Sequence, residues 1–156
     1  IELAYNTEEI WRSLCEGIQS MWKKNLNIDS HLINKEWKVF LTDIASGNYT
    51  VARLGWIGDV IDPYSFLSLL QKEAPFPKTN WSNPDYEHLM QAALESNKTQ
   101  ERLNFYQQAE TLLLREAPII PFAYYNTTHL VSPHVIGLKT NLMDRYVYTD
   151  IDLVED

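Results

Sequence analysis

Strand-like and helix-like stretches alternate through the first half of the chain, and that alternation leaves few architectures open. Ile1-Glu2-Leu3-Ala4-Tyr5 is a short apolar run that reads as a strand. Ile10, Leu14, Ile18 and Met21 then recur at helical spacing. Asn6 or Thr7 is placed to cap that helix, Lys23-Lys24 to complement its C-terminal dipole, and Asn27 to end it in the left-handed conformation. A second strand is expected over residues 28–34. A short helix follows over 37–45, with Trp37, Phe40 and Leu41 inward, and a third strand over 49–56. Such β-α-β-α-β order argues an α/β domain with helices covering a sheet.

The second half reads differently. Asp62-Pro63 starts a helix through Phe66, Leu67 and Leu70. Two helices follow over 84–96 and 100–116, with Asn83 and Thr99 as caps. Pro118-Ile119-Ile120-Pro121 breaks the second and leads to an expected strand through Phe122, Tyr124 and Tyr125. A last strand is expected in the alternating run 146–153.

Composition removes several classes of function. The 156 residues carry 13 basic and 21 acidic side chains, a net charge of −8. An acidic surface repels phosphate, so a nucleic-acid partner is disfavoured. No apolar run approaches the roughly 20 residues of a membrane span. Cys15 is the one cysteine, within a helical pattern, and reads as a buried, inert thiol. His31, His88, His129 and His134 have no helical i, i+4 ligand spacing, so neither a metal nor another cofactor is expected. There is no G-x-S-x-G elbow and no phosphate-binding loop. No nucleophile is coupled to a base, which argues against an enzyme. A chain that opens inside a strand-like run is also expected to be part of something longer.

Gly55-Trp56-Ile57-Gly58-Asp59-Val60-Ile61-Asp62-Pro63-Tyr64-Ser65-Phe66-Leu67 carries the sharpest signal. It resembles the G-W-x-x-D-x-x-(D/E)-P-x-x-F-L stretch of the periplasmic oligopeptide- and dipeptide-binding proteins, family 5 of the extracellular solute-binding proteins. Tyr5-Asn6-Thr7, Trp22-Lys23-Lys24-Asn25-Leu26, Glu36-Trp37-Lys38, Val51-Ala52-Arg53, Asn83-Pro84 and Ala117-Pro118-Ile119-Ile120-Pro121 agree with that family in order and spacing. The resemblance runs from Tyr5 to about Gly137.

The resemblance implies a type II periplasmic-binding-protein-like fold, two α/β lobes closing over a ligand, each a mixed sheet flanked by helices. Residues 1–132 would be the C-terminal lobe, and 133–156 a crossover tail returning to the missing N-terminal lobe. The partners implied are an oligopeptide and an ABC permease in the inner membrane, and the location is the periplasm or cell envelope.

At the motif position of Asp59 the family has the carboxylate that pairs with a peptide α-ammonium; read on composition alone, Asp59 is a turn or helix-start charge. Gly55, Trp56 and Ile57 resemble the segment whose backbone pairs with peptide, and Trp37 and Trp56 resemble pocket-lining aromatics. Arg53 matches an arginine that engages the ligand carboxylate in some members, with a structural salt bridge as the alternative. Two positions depart from the pattern: Trp11 stands where some members have histidine, and Ile44 where some have a second basic residue. A same-family binder of dipeptides, sugars, nickel or haem complexes, and a chaperone- or adhesin-like surface protein, are the competing functional readings.

Overall fold

A computed structural model describes residues 1–139, 141, 143 and 145–154. β1 (Glu2–Asn6), β2 (His31–Lys35) and β3 (Val51–Ala52) form a parallel sheet in the order β2-β1-β3. Glu2 is opposite His31 and Asn6 opposite Lys35, while Leu3 and Ala4 pair with Val51 and Ala52. α1 (Glu9–Leu26) and α2 (Trp37–Ser46) cover opposite faces. Successive strand residues explain this: Leu3 and Tyr5 pack on Cys15 of α1, whereas Ala4 packs on Phe40 and Ile44 of α2.

The apolar stripe of α1 that reaches the sheet is Trp11, Cys15, Ile18 and Trp22. The expected stripe shares only Ile18 with it; Ile10 and Met21 are exposed. Two apolar stripes lie one residue apart on this helix, and only sheet contact selects between them. Asn27 ends α1 as expected, at φ 53°, and Ile28 N–H returns to the Trp22 carbonyl at 3.2 Å. Neither Asn6 nor Thr7 caps α1, because both side chains serve the sheet instead. Asn6 Oδ1 accepts from Arg53, and the Thr7 hydroxyl donates to the Lys35 carbonyl at 3.0 Å. In α2 the Glu36 carboxylate caps the helix and Phe40 is fully buried, but Trp37 is half exposed rather than inward.

Beyond β3 the chain forms α3 (Tyr64–Leu67), continued by a 3-10 turn, Ser68–Leu70. The hairpin of α4 (Pro84–Glu95) and α5 (Thr99–Glu116) packs around Tyr86, Met90, Ala93, Tyr106, Ala109, Leu112 and Leu113. Asn83 caps α4, accepting from Asp85 N–H at 2.8 Å. Thr99 is the first residue of α5 rather than its cap. The strand expected at 122–125 does not form, since no neighbouring strand offers it a ladder; residues 117–132 contain no helix or strand. In the expected 146–153 strand only Asp152–Leu153 (β5) is extended and paired, antiparallel to β4 (Val135–Ile136), after a 3-10 turn at Tyr148–Asp150. Parallel and antiparallel pairing thus fall in two separate sheets.

Asp43 ties α2 to β2. Its carboxylate takes Lys35 Nζ on one oxygen and the Asn48 amide on the other, and these bonds, Lys35 foremost, hold its pKa below the ordinary value. A depressed carboxylate stabilises the fold above its unfolded value near 4 and loses that contribution as pH falls through the folded value. Asp43→Asn is therefore expected to flatten the fall of the urea midpoint between about pH 5 and pH 2. An unchanged pH profile would mean that the pair contributes nothing to folding.

Candidate functional site

The sheet order itself marks a crevice. From β1 the chain moves to β2 on one side, yet β3 pairs on the other. Segments leaving the carboxyl ends of β1 and β3 therefore part at a topological switch point, where open α/β sheets bind ligands. Asn6 ends β1 and Thr7 and Glu8 follow it, residues 53–59 follow β3, and Trp37 begins the helix after β2. All six residues singled out in the sequence lie at this carboxyl edge or on the segment leaving it.

Arg53 is half-buried there. Its guanidinium lies 3.1 Å from the centre of the Trp11 ring, donates to Asn6 Oδ1 at 3.2 Å, and donates to the Tyr125 hydroxyl. The alternative of a structural salt bridge is not what holds it: among the described residues no carboxylate is within ion-pair distance of Arg53, and an aromatic face and two neutral oxygens hold it instead. Desolvation is the main influence on its pKa and lowers it from the ordinary arginine value. A desolvated cation with neutral partners keeps attraction for an incoming anion.

Tyr125 reaches the site from the segment after Pro121. It packs edge-on against Trp11, with ring centres 6.0 Å apart. It also fills the space beside Gly55, where an added Cβ would lie 3.0 Å from its ring. A ligand backbone at Gly55 would meet that ring, which is 58% exposed. Tyr124, its neighbour, is 96% exposed and makes no such contact. Sequence reasoning missed Asn6 and could not choose between Tyr124 and Tyr125. The end of an apolar strand was the available signal for Asn6.

The segment after Arg53 is held from beneath. The Trp56 indole donates to the Ser65 carbonyl at 2.9 Å and leans on Phe76. The Ser65 hydroxyl bonds both the N–H and the carbonyl of Val60, at 3.1 and 3.0 Å. Asp62 accepts from Tyr64 N–H at 2.9 Å and pairs with Arg102 of α5, which fixes the loop to the hairpin. Asp62 thus starts α3, as its place before Pro63 suggested. Asp59 differs: it is exposed, and no side chain or N–H among the described residues engages its carboxylate. The backbone N–H and carbonyl groups of residues 55–59 also have no partner among the described residues.

Trp37 is 48% exposed and stacks on Phe40, ring centres 6.2 Å apart. Ile44 is 1% exposed, inside the core on the α2 face, so its side chain is not at the crevice. Cys15 is fully buried beneath the sheet, and burial raises its thiol pKa.

Residues 1–78, which include β1 to β3 and the Asp59 segment, match the family described as bacterial extracellular solute-binding proteins, family 5 Middle. The chain belongs to that family. Among its relatives, the oligopeptide-binding protein OppA of Bacillus subtilis is 35% identical over 88% of this chain and 26% of its own length. The periplasmic murein peptide-binding protein MppA of Escherichia coli is 34% identical over 96% of this chain and 28% of its own. The solved structure of the Escherichia coli murein tripeptide-binding protein MppA superimposes with a TM-score of 0.88 at 32% identity, covering 100% of this chain and 31% of that one. The chain thus spans between a quarter and a third of the length of these family 5 proteins, and its fold is that of part of a type II periplasmic binding protein.

Proposed function

We propose that this chain is the lobe of an envelope peptide receptor that takes the amino end of an oligopeptide. Residues 1–132 serve as the C-terminal lobe and 133–156 as the crossover toward the other lobe. Of that tail, positions 140, 142, 144, 155 and 156 lie outside the described residues. One observation carries the reading: an exposed, unengaged Asp59 closes a run of unpartnered backbone at the carboxyl end of edge strand β3. Main-chain groups of residues 55–59 pair with peptide backbone of any sequence, as in strand addition. Asp59 holds the α-ammonium through a charge-assisted hydrogen bond. Arg53 offers a cation to a ligand carboxylate, while Trp56 and Trp37 supply aromatic walls.

Binding rather than catalysis is the role these groups suit, in keeping with the solute-binding family that residues 1–78 match. Peptide names attached to the relatives support the ligand class. Closure over the peptide then presents the receptor to an ABC permease in the inner membrane. A ligand can favour closure only by contacting both lobes, so this chain alone should bind weakly. The test is calorimetric titration of the full-length protein with tri- and tetrapeptides, free and N-acetylated. Free amines are expected to bind and acetylated forms to lose most affinity, because an acetyl group leaves the desolvated carboxylate without a partner. Equal binding of both forms would remove Asp59 from its role.

A further inference from the structure

Burial alternates along the segment that ends at Asp59. The Trp56 indole turns in to the Ser65 carbonyl, Ile57 is 73% exposed, Gly58 is buried, and Asp59 is exposed. A Cβ on Gly58 would sit 3.0 Å from the Phe66 ring and 3.2 Å from Ser65 Cβ, so this position faces inward. In an extended chain alternate residues share a face, about 7 Å apart. Ile57 and Asp59 are thus both turned to solvent on either side of the inward-facing Gly58, and the chain bends at Asp59 and Val60. Val60 and Ile61, 57% and 71% exposed, add two more exposed aliphatic side chains directly after the carboxylate. The loop is braced, with both backbone groups of Val60 held by Ser65 and Asp62 tied to Arg102. Its three aliphatic side chains are β-branched and stiff, so contact costs them little rotamer entropy.

Three aliphatic side chains held in water around an unengaged carboxylate match one ligand chemistry, a cation with an apolar group beside it. The first residue of a peptide has that form, since its α-ammonium and its side chain hang from one Cα. We propose that Ile57, with Val60 and Ile61, makes this site select peptides whose first residue is aliphatic or aromatic. The proposal rests on Asp59 as the amine anchor and adds a specificity determinant to it. Ile57, Val60 and Ile61 stand at positions that the G-W-x-x-D-x-x-(D/E)-P pattern leaves open, so they can differ between receptors that share the anchor. An acidic first residue would bring a second carboxylate toward Asp59 and leave the aliphatic surface wet.

The test is calorimetry on the full-length protein with Leu-Ala-Ala, Ala-Ala-Ala, Asp-Ala-Ala and N-acetyl-Leu-Ala-Ala. Leu-Ala-Ala is expected to bind about tenfold more tightly than Ala-Ala-Ala, the scale of a few methylenes in an apolar contact, with Asp-Ala-Ala weakest. Ile57→Asn, at an exposed position that folding does not need, is expected to shrink the Leu-over-Ala ratio to about threefold or less. Equal binding of the three free peptides, with the acetylated form still excluded, would overturn the selectivity and leave the amine anchor standing. A tenfold ratio retained by Ile57→Asn would likewise overturn it. Equal binding of the free and acetylated leucine peptides would overturn both readings.

Discussion

Asp59→Asn in the full-length protein is expected to weaken binding of free-amine tripeptides by about 2–4 kcal/mol, roughly 30- to 1,000-fold in Kd. The variant keeps the shape of the side chain and removes its charge. In a closed cleft the α-ammonium would then be desolvated opposite a neutral amide, and much of the loss is the penalty of that unpaired cation. Asp59 has no partner among the described residues, so the thermal midpoint should scarcely move. Discrimination against N-acetyl peptides should fall with the affinity. Calorimetry on the wild type and the variant, each with free and acetylated peptide, reads both quantities. An Asn variant that still rejected the acetylated form would assign amine recognition elsewhere.

The second large effect concerns the hairpin that braces the site. Tyr86 is fully buried, and its hydroxyl donates to the Leu67 carbonyl at 2.7 Å. Burial, more than the neighbouring Glu87, pushes the phenol pKa up, so it stays a donor over the working pH range. Tyr86→Ala is expected to cost about 3–5 kcal/mol in unfolding free energy, through lost burial and the cavity left behind. Tyr86→Phe keeps the ring and removes the phenol's bond to the Leu67 carbonyl, at about 0.5–1.5 kcal/mol, since that carbonyl also opens the 3-10 turn over Ser68–Leu70. Urea unfolding of the two variants separates packing from the hydrogen bond. If Tyr86→Phe were as stable as the wild type, the carbonyl would have found water. Leu67 ends the short helix α3 that begins just past Asp62. The same bond therefore links the α4–α5 core to the loop carrying Asp59.

Much of this architecture can be read along the chain. The β-α-β-α-β order, Asn27 and Asn83 as helix stops and starts, and the buried Cys15 are local consequences of periodicity and backbone preference. The motif from Gly55 to Leu67 pointed to the segment where an unengaged carboxylate stands. Local signals failed where a side chain or strand had a choice of partners. Asn6 and Thr7 have the chemistry of helix caps, but parallel pairing set them beside Arg53 and Lys35. Residues 122–125 have strand composition, but a strand exists only beside another strand.

The sequence by itself determined the fold class and the family, because periodicity, caps and a contiguous motif are properties of neighbours in the chain. Only the tertiary structure decided that Arg53 is held by Trp11, Asn6 and Tyr125 rather than by a carboxylate, that Tyr125 covers Gly55, and that Asp62 is tied to Arg102. Those contacts join residues 40 or more positions apart, and no local preference specifies which of several possible partners the packed chain will bring within reach.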